Sequence, residues 1–414
     1  MHGLVRQFAS RKLHEVPDVE RRARARHIEH YAGALVTWFE DLKGREQFQT
    51  LLRMEREIEN VRRAFQGAAV LSDHERLRSA SPGLAQYYIM RSDLSEAEIV
   101  FSAASGAYGQ HEDRDPAIDA FLRIVAGYFA SWDRLDVAFR RRDEGIDLLA
   151  TTRPRDGLHA MAYLIYASAC FGSDRDGTVA RAQGCLAYYR SLGDRWGEAS
   201  ALNTLATIES YDDESASETH ARQALNLRRE IGDAWGEGIA QFGLARLAEQ
   251  REDHELALAL YRDAGRLHAP LSEESFGGIS VLIAQARVLA KLGDTERSAD
   301  FAQQAIRRGR ETGYRFQVAR SLIELASAAR ASGDRATATA HLEEAFADLA
   351  HIRWHRFQAE CAKMLVEVAL DESDAGAAER WLREAKSLDP NHEELPALEA
   401  RVVKLGQVGR DRSS

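Results

Sequence analysis

The sequence predicts an all-α chain, a solenoid of about eight helical hairpins, and three observations carry that prediction. The phrase "SLGDRWGEASAL" at Ser191 returns thirty-nine residues later as "EIGDAWGEGIAQ" at Glu230. Small and bulky residues recur at fixed offsets within units of about 40 residues. No strand-like alternation of useful length competes, and 45% hydrophobic residues with only 7 prolines suit helices that bury a core.

The recurring phrase reads as a helix stop followed by a helix start. Gly193 suits the left-handed C-terminal cap, and Asp194 can accept hydrogen bonds from the free N–H groups of the next helix. Glu198 then falls in a first turn, where the helix dipole favours negative charge, and Trp196 is most simply a packing residue between neighbouring helices. Gly232, Asp233, Trp235 and Glu237 repeat all four roles. A catalytic carboxylate would not need to be duplicated with its glycine and tryptophan, so the phrase is structural punctuation.

The helices between the phrases repeat too. With position zero at residue 237, Leu244, Ala245, Ala257, Tyr261 and Ala264 fall at positions 7, 8, 20, 24 and 27. That is the spacing of tetratricopeptide (TPR) repeats: small residues let two antiparallel helices approach closely, and the bulky residue fills the groove between them. The same frame fits Leu84, Ala85, Ala97, Phe101 and Ala104, and again Leu325, Ala326, Gly333, Ala338, Leu342 and Ala345. Weaker matches complete a series of origins at 77, 118, 158, 198, 237, 278, 318 and 358. Gly-Asp in "KLGDTERSAD" and "ASGDRATATA" marks turns inside hairpins, and "HEELPALEARVVKLG" reads as a final helix before a polar tail. The expected architecture is a right-handed TPR superhelix whose first helices line a concave face.

Residues 1–70 do not fit the frame and carry 13 Lys and Arg against 10 Asp and Glu, in a chain of net charge -10. Here "HGLVRQFASRKL" (His2 to Leu13), "RARHIEHYAGAL" (Arg24 to Leu35) and "LLRMEREIENVRRAF" (Leu51 to Phe65) resemble the junction between NTPase core and C-terminal TPR sensor in STAND-type signal-transduction ATPases and in LuxR- and antibiotic-regulator-like transcriptional regulators. Forty-residue repeats opening on "GD-x-WG" are typical of those sensors as well. The resemblance implies the end of a winged-helix-like segment at 1–14, a helical junction at 15–75, a TPR array at 76–392, and a capping helix with polar tail at 393–414. It implies a protein or peptide partner, or an anionic small molecule, and an NTPase core in cis or in trans. No GxxxxGK[ST] loop, paired acidic strand or DNA-reading helix-turn-helix is present, so neither ATPase activity nor direct DNA binding carries over. Met1 followed at once by "HGLVRQFAS" suggests a chain that starts within a larger protein.

Positions 2, 5, 9 and 12 of a TPR first helix usually face the groove. They hold Arg123, Tyr163, Asn203, Thr207, Phe242, Arg246, Arg287, Arg320, Arg330 and Lys363, with Glu249, Glu360 and Glu367 as acidic exceptions. Such a groove suits an acidic peptide, protein segment or anionic metabolite, because arginine forks bind carboxylate or phosphate bidentately. The blander alternative is that these cations pair with glutamates of adjacent helices or are solvated.

Other features point to packing or solvent. "RRARAR" from Arg21 reads as an exposed helix face, and Tyr87–Tyr88 and Tyr188–Tyr189 as packing pairs. His111 and His254 have acidic neighbours adjacent in sequence, which do not share a helix face, so no metal is implied. Cys170, Cys185 and Cys361 suggest neither a disulfide framework nor a zinc ribbon and suit a reducing cytoplasm. The longest uncharged stretch, 17 residues from Gly157 to Ser173, is shorter than a membrane span and reads as a buried helix. Acidity argues against nucleic-acid and membrane partners, and no triad, nucleophile elbow or cofactor motif suggests an enzyme. A ligand-sensing and protein-interacting arm is the expected function; the alternatives are a free-standing TPR adaptor or scaffold and a cytosolic peptide-pheromone receptor.

Overall fold

The computed structural model describes residue 12 and residues 15–130, 134–150, 156–168, 175–270 and 275–411. The first junction motif, apart from Lys12 within its span, Cys170 and the last three tail residues lie outside them. Nineteen helices and no strand are found among the described residues. Helices α1 (Pro17–Leu42) and α2 (Gln47–Val70) are followed by α3 (His74–Arg91) with α4 (Leu94–Tyr108), α5 (Pro116–Ala130) with α6 (Leu135–Ala150), α7 (Gly157–Ser168) with α8 (Arg175–Leu192), and α9 (Arg195–Glu209) with α10 (Glu214–Ile231). Then come α11 (Ala234–Gln250) with α12 (His254–His268), α13 (Phe276–Lys291) with α14 (Thr295–Thr312), α15 (Arg315–Ala331) with α16 (Arg335–His351), α17 (His355–Asp371) with α18 (Ala375–Leu388), and a last helix α19 (Leu395–Asp411). The fold is an all-α helical-repeat solenoid of the TPR type. It comprises two compact units: residues 1–130 with 138–236, and residues 131–137 with 237–414.

The close approach expected of the small residues is present in each unit. Ala85, Ala97 and Ala104 in the first, and Ala245, Ala257 and Ala264 in the second, have no exposed surface, and neither do Phe101 and Tyr261 at position 24. The described part of the uncharged stretch, Gly157–Ser168, forms the buried helix α7, in which nine side chains from Leu158 to Ala167 are covered. Tyr87, Tyr88 and Tyr189 are core residues. Helix α19 buries Leu395, Leu398 and Val402 beside Ala378, Leu382 and Ala385 of α18.

The punctuation phrase does what its residues suggest. Gly193 (φ 68°) and Gly232 (φ 77°) are left-handed, Asp194 accepts a hydrogen bond from the Gly197 N–H at 2.9 Å, and Asp233 accepts one from Gly236 at 2.8 Å. The corner is more general than its glycine. Ser72, Ser92, Glu252 and Ser373 take φ of 54–61° ahead of Asp73, Asp93, Asp253 and Asp374, each of which caps the helix it opens. A non-glycine residue there costs about 1 kcal/mol or more, offset by a cap bond of similar size.

In the first unit α1 and α2 are built into the repeats. The Leu35 carbonyl sits so near Gly83 of α3 that a β-carbon there would lie 2.5 Å from it, which only glycine permits. Phe39 meets Trp196 of α9 edge-on at 5.5 Å. The α1–α2 corner then reaches the α10–α11 turn. Gln47, fully buried, donates to Asp233 Oδ1 at 3.0 Å and accepts from the Trp235 N–H at 2.8 Å. Asp233 also pairs with Arg228, itself 2% exposed, whose Nη2 donates to Ser200 Oγ at 2.7 Å. Trp196 therefore packs against α1 as well as its own repeat.

Asp233→Ala leaves Arg228 buried without its carboxylate and removes a helix cap, and is expected to cost about 3–5 kcal/mol in urea unfolding. Gln47→Ala is expected to cost about 1–3 kcal/mol alone and markedly less in the Asp233→Ala background, because the two share one network. Additive costs would show that the corner is not coupled to the turn.

Candidate functional site

In the second unit, the positions expected to face the groove bring a set of charged side chains together on α11, α13 and α15. Arg287 of α13 grips Glu249 of α11 with two prongs, Nε to Oε1 at 2.6 Å and Nη2 to Oε2 at 2.8 Å. Its third nitrogen, Nη1, lies 3.6 Å from Glu324 of α15, so one arginine links three successive first helices. Lys291 Nζ reaches Glu249 Oε1 at 3.2 Å, and the Tyr261 hydroxyl donates to Oε2 at 3.0 Å. Phe242 stands edge-on to Tyr261, ring centres 5.1 Å apart, and Arg246 acts electrostatically on the same hydroxyl.

The electrostatics of this cluster are unequal. Burial alone would raise the Glu249 carboxyl, but hydrogen bonds and charge from Arg287, with Lys291, overcome it and hold its pKa at about 2. Burial pushes the Glu324 carboxyl up. Arg320, on α15, is the outlier: burial, reinforced by the like charge of Arg287, pulls its guanidinium down to about 10. It makes no hydrogen bond or ion pair among the described residues and lies over the Phe316 ring at 5.7 Å. Four cations, Arg246, Arg287, Lys291 and Arg320, thus share the cluster with two carboxylates, Glu249 and Glu324.

The other expected groove cations are neutralised. Arg330 pairs with Asp371 at 2.6 Å and Glu367 at 3.2 Å, and Glu367 in turn binds Arg401 of α19. Lys363, 5% exposed, lies within 2.9 Å of Glu360 and 2.6 Å of Glu394, with His392 Nε2 at 2.9 Å. Glu360, His392 and Glu394 converge closely enough to resemble three metal ligands. The ammonium already occupies their meeting point, so the cluster is an ion-pair network. In the first unit, Arg123 binds Asp119 at 2.8 Å and Glu144 at 2.9 Å. Tyr163 and Asn203 are half-buried, and exposed Thr207 donates to the Asn203 carbonyl at 2.9 Å. Glutamate or aspartate pairing therefore accounts for Arg123, Arg330 and Lys363, and for part of Arg287.

Lys291, Glu324, Asp371 and Arg401 complete these networks and lie outside the residues expected from the frame. The available signal was charge complementarity at separations of 34–42 residues, one repeat apart. Burial pushes the Cys361 thiol up to about 12, which leaves it a packing residue at neutral pH.

No family model matches the sequence, and no curated protein matches it. Solved structures do. The apo form of the quorum sensor NprR from B. thuringiensis matches with a TM-score of 0.57 and 15% identity, over 89% of this chain and 99% of that one. A STAND protein with a tetratricopeptide repeat sensor from Pyrococcus horikoshii matches with a TM-score of 0.56 and 16% identity, over 88% of this chain; the match spans only 54% of the STAND protein. A Rap protein complexed with Competence and Sporulation Factor matches with a TM-score of 0.53 and 13% identity, over 78% of this chain and 95% of that one. At such identities the likeness establishes the TPR fold. No helix among the described residues is long and apolar enough to cross a membrane.

The Glu249 shift has a sign that can be tested. Its folded pKa of about 2 lies below the ordinary 4.5, so its stabilisation is complete above about pH 4.5 and is lost as pH falls towards 2. Glu249→Gln is expected to lower stability at pH 7 by about 3 kcal/mol and to flatten the acid limb of a stability–pH curve measured by urea unfolding. An unchanged acid limb would show that the carboxylate is not held in this pair.

Proposed function

We propose that this chain is the TPR sensor and protein-interaction arm of a STAND-like bacterial signalling or transcriptional regulator, and that an anionic group of a peptide, protein or small ligand binds at Arg246, Arg287 and Arg320. The observation that carries this is Arg320, a partly buried guanidinium that makes no ion pair among the described residues and feels the like charge of Arg287, opposed in part by Glu324. A carboxylate or phosphate placed between them would relieve the repulsion and supply charge-assisted hydrogen bonds of about 1.5–3 kcal/mol each. Half-buried Phe242 offers an aromatic face in the same cluster.

The solved structures support the same class of role. One is a STAND protein that carries a TPR sensor, one is a quorum sensor, and one was captured with Competence and Sporulation Factor. On this proposal residues 15–75 form the junction towards an NTPase core in cis or in trans, in the cytoplasm, and the repeats respond to ligand by population shift. Moving such an equilibrium from 1:99 to 99:1 takes roughly 5.5 kcal/mol of preference, the sum of two to four charge-assisted contacts. A free-standing peptide receptor is the second reading, favoured by the match over 99% of the quorum sensor's chain.

Fluorescence anisotropy with acidic and sequence-scrambled basic peptides, at low and raised salt, tests the site. Acidic peptides are expected to bind in a salt-sensitive manner, and Arg320→Ala to weaken them about tenfold or more. Arg330→Ala, whose cation is already neutralised, is expected to change binding by less than about twofold. Equal effects of the two substitutions, or binding indifferent to salt, would remove Arg320 from the site.

A further inference from the structure

The face of α15 that carries Arg320 continues into an apolar notch. Arg320, Ile323, Ser327 and Arg330 stand at i, i+3, i+7 and i+10, so they share one side of the helix. Ser327 and Arg330 border a notch of about 380 Å³ shared by α15, α16 and α17 of the second unit. Ala326, Leu342, Met364 and Val368 supply its apolar walls. Ser327 adds no polar demand, because its hydroxyl donates to the Ile323 carbonyl at 3.0 Å. The rim is neutralised as well, since Asp371 and Glu367 hold Arg330.

A notch of this kind suits an aliphatic side chain and offers little to an ion. Arg320, seven residues away on the same side of α15, offers the reverse: a desolvated guanidinium that makes no ion pair among the described residues. Seven residues of helix span about 10 Å, the reach of about three residues of extended chain. Half-buried Ile323, packed against the same hydrophobic cluster as Leu342 and Met364, lies between the two. Glu324 lies between them too, and its carboxylate oxygens can accept from the N–H groups of a peptide. An alkyl chain crossing the same ground would desolvate that carboxylate without returning a hydrogen bond.

We infer that the groove takes an extended peptide segment whose acidic side chain meets Arg320 and whose apolar side chain, three positions away, fills the notch. This second anchor rests on the reading of Arg320 as an anion site. Charge alone would admit any acidic segment, and the spacing of the two anchors selects among them.

Fluorescence anisotropy of the full chain with three labelled peptides in one uncharged host sequence tests this: Asp-x-x-Leu, Asp-x-x-Ser, and a third with Asp and Leu adjacent. Asp-x-x-Leu is expected to bind about tenfold more tightly than the other two. Arg320→Ala is expected to weaken Asp-x-x-Leu by about tenfold or more. Ser327→Leu puts a side chain of the protein's own into the notch and installs a better helix former, so it is expected to melt no lower than the parent chain. It is expected to bring Asp-x-x-Leu down to the level of Asp-x-x-Ser. Equal binding of those two peptides by the parent chain, or a leucine advantage that survives Ser327→Leu, overturns the second anchor and leaves the anion at Arg320 standing. Failure of all three peptides to bind removes both. Sodium decanoate binding as tightly as Asp-x-x-Leu, and displacing it, would overturn the peptide in favour of an aliphatic carboxylate.

Discussion

The hairpins that carry the full small-residue pattern depend on the approach of two helix backbones at an alanine. Ala85 with Ala97 and Ala104, Ala245 with Ala257 and Ala264, and Ala326 with Ala338 and Ala345 are at most 1% exposed. A β-methyl group at these crossings lets a ring or leucine one turn away, such as Phe101, Tyr261 or Leu342, fill the groove beside it. One hairpin alone leaves half of that surface open, so its stability is inseparable from its neighbour's. The capped corners add direction: a left-handed residue followed by aspartate reverses the chain within two residues, whether the first is Gly, Ser or Glu.

The same stacking brings like positions of successive repeats side by side, and this constrains their charge. A column of arginines would repel itself, and the structure relieves the column with carboxylates from the next repeat: Glu249–Arg287–Glu324 in one place and Arg330–Glu367–Arg401 in another. Where pairing is complete, the ions act as staples between helices. Where it is incomplete, at Arg320, burial and the like charge of Arg287 pull the guanidinium down.

Buried polarity in the first unit has a different consequence. Gln47, Asp233 and Arg228 form a buried network in which the Arg228 Nε alone lacks a hydrogen-bond partner among the described residues, and it joins residues 186 apart in sequence. A leucine cluster would hold the same elements with less desolvation cost. Hydrogen-bond geometry, unlike apolar contact, permits one register of the α1–α2 corner against the α10–α11 turn.

The sequence by itself determined the helices, their pairing and the repeat. Cap residues and small-residue spacing act over fewer than forty residues, and the observed first helices begin one to three residues before the frame origins, as at His74, Arg195 and Arg315. It also placed Phe242, Arg246, Arg287 and Arg320 on corresponding faces, because position within a helix fixes direction. Only the tertiary structure decided which cations are already spent on carboxylates and that Gln47 reaches Asp233. Those outcomes depend on distances between side chains of different repeats, and helical periodicity says which way a residue points without saying what stands opposite.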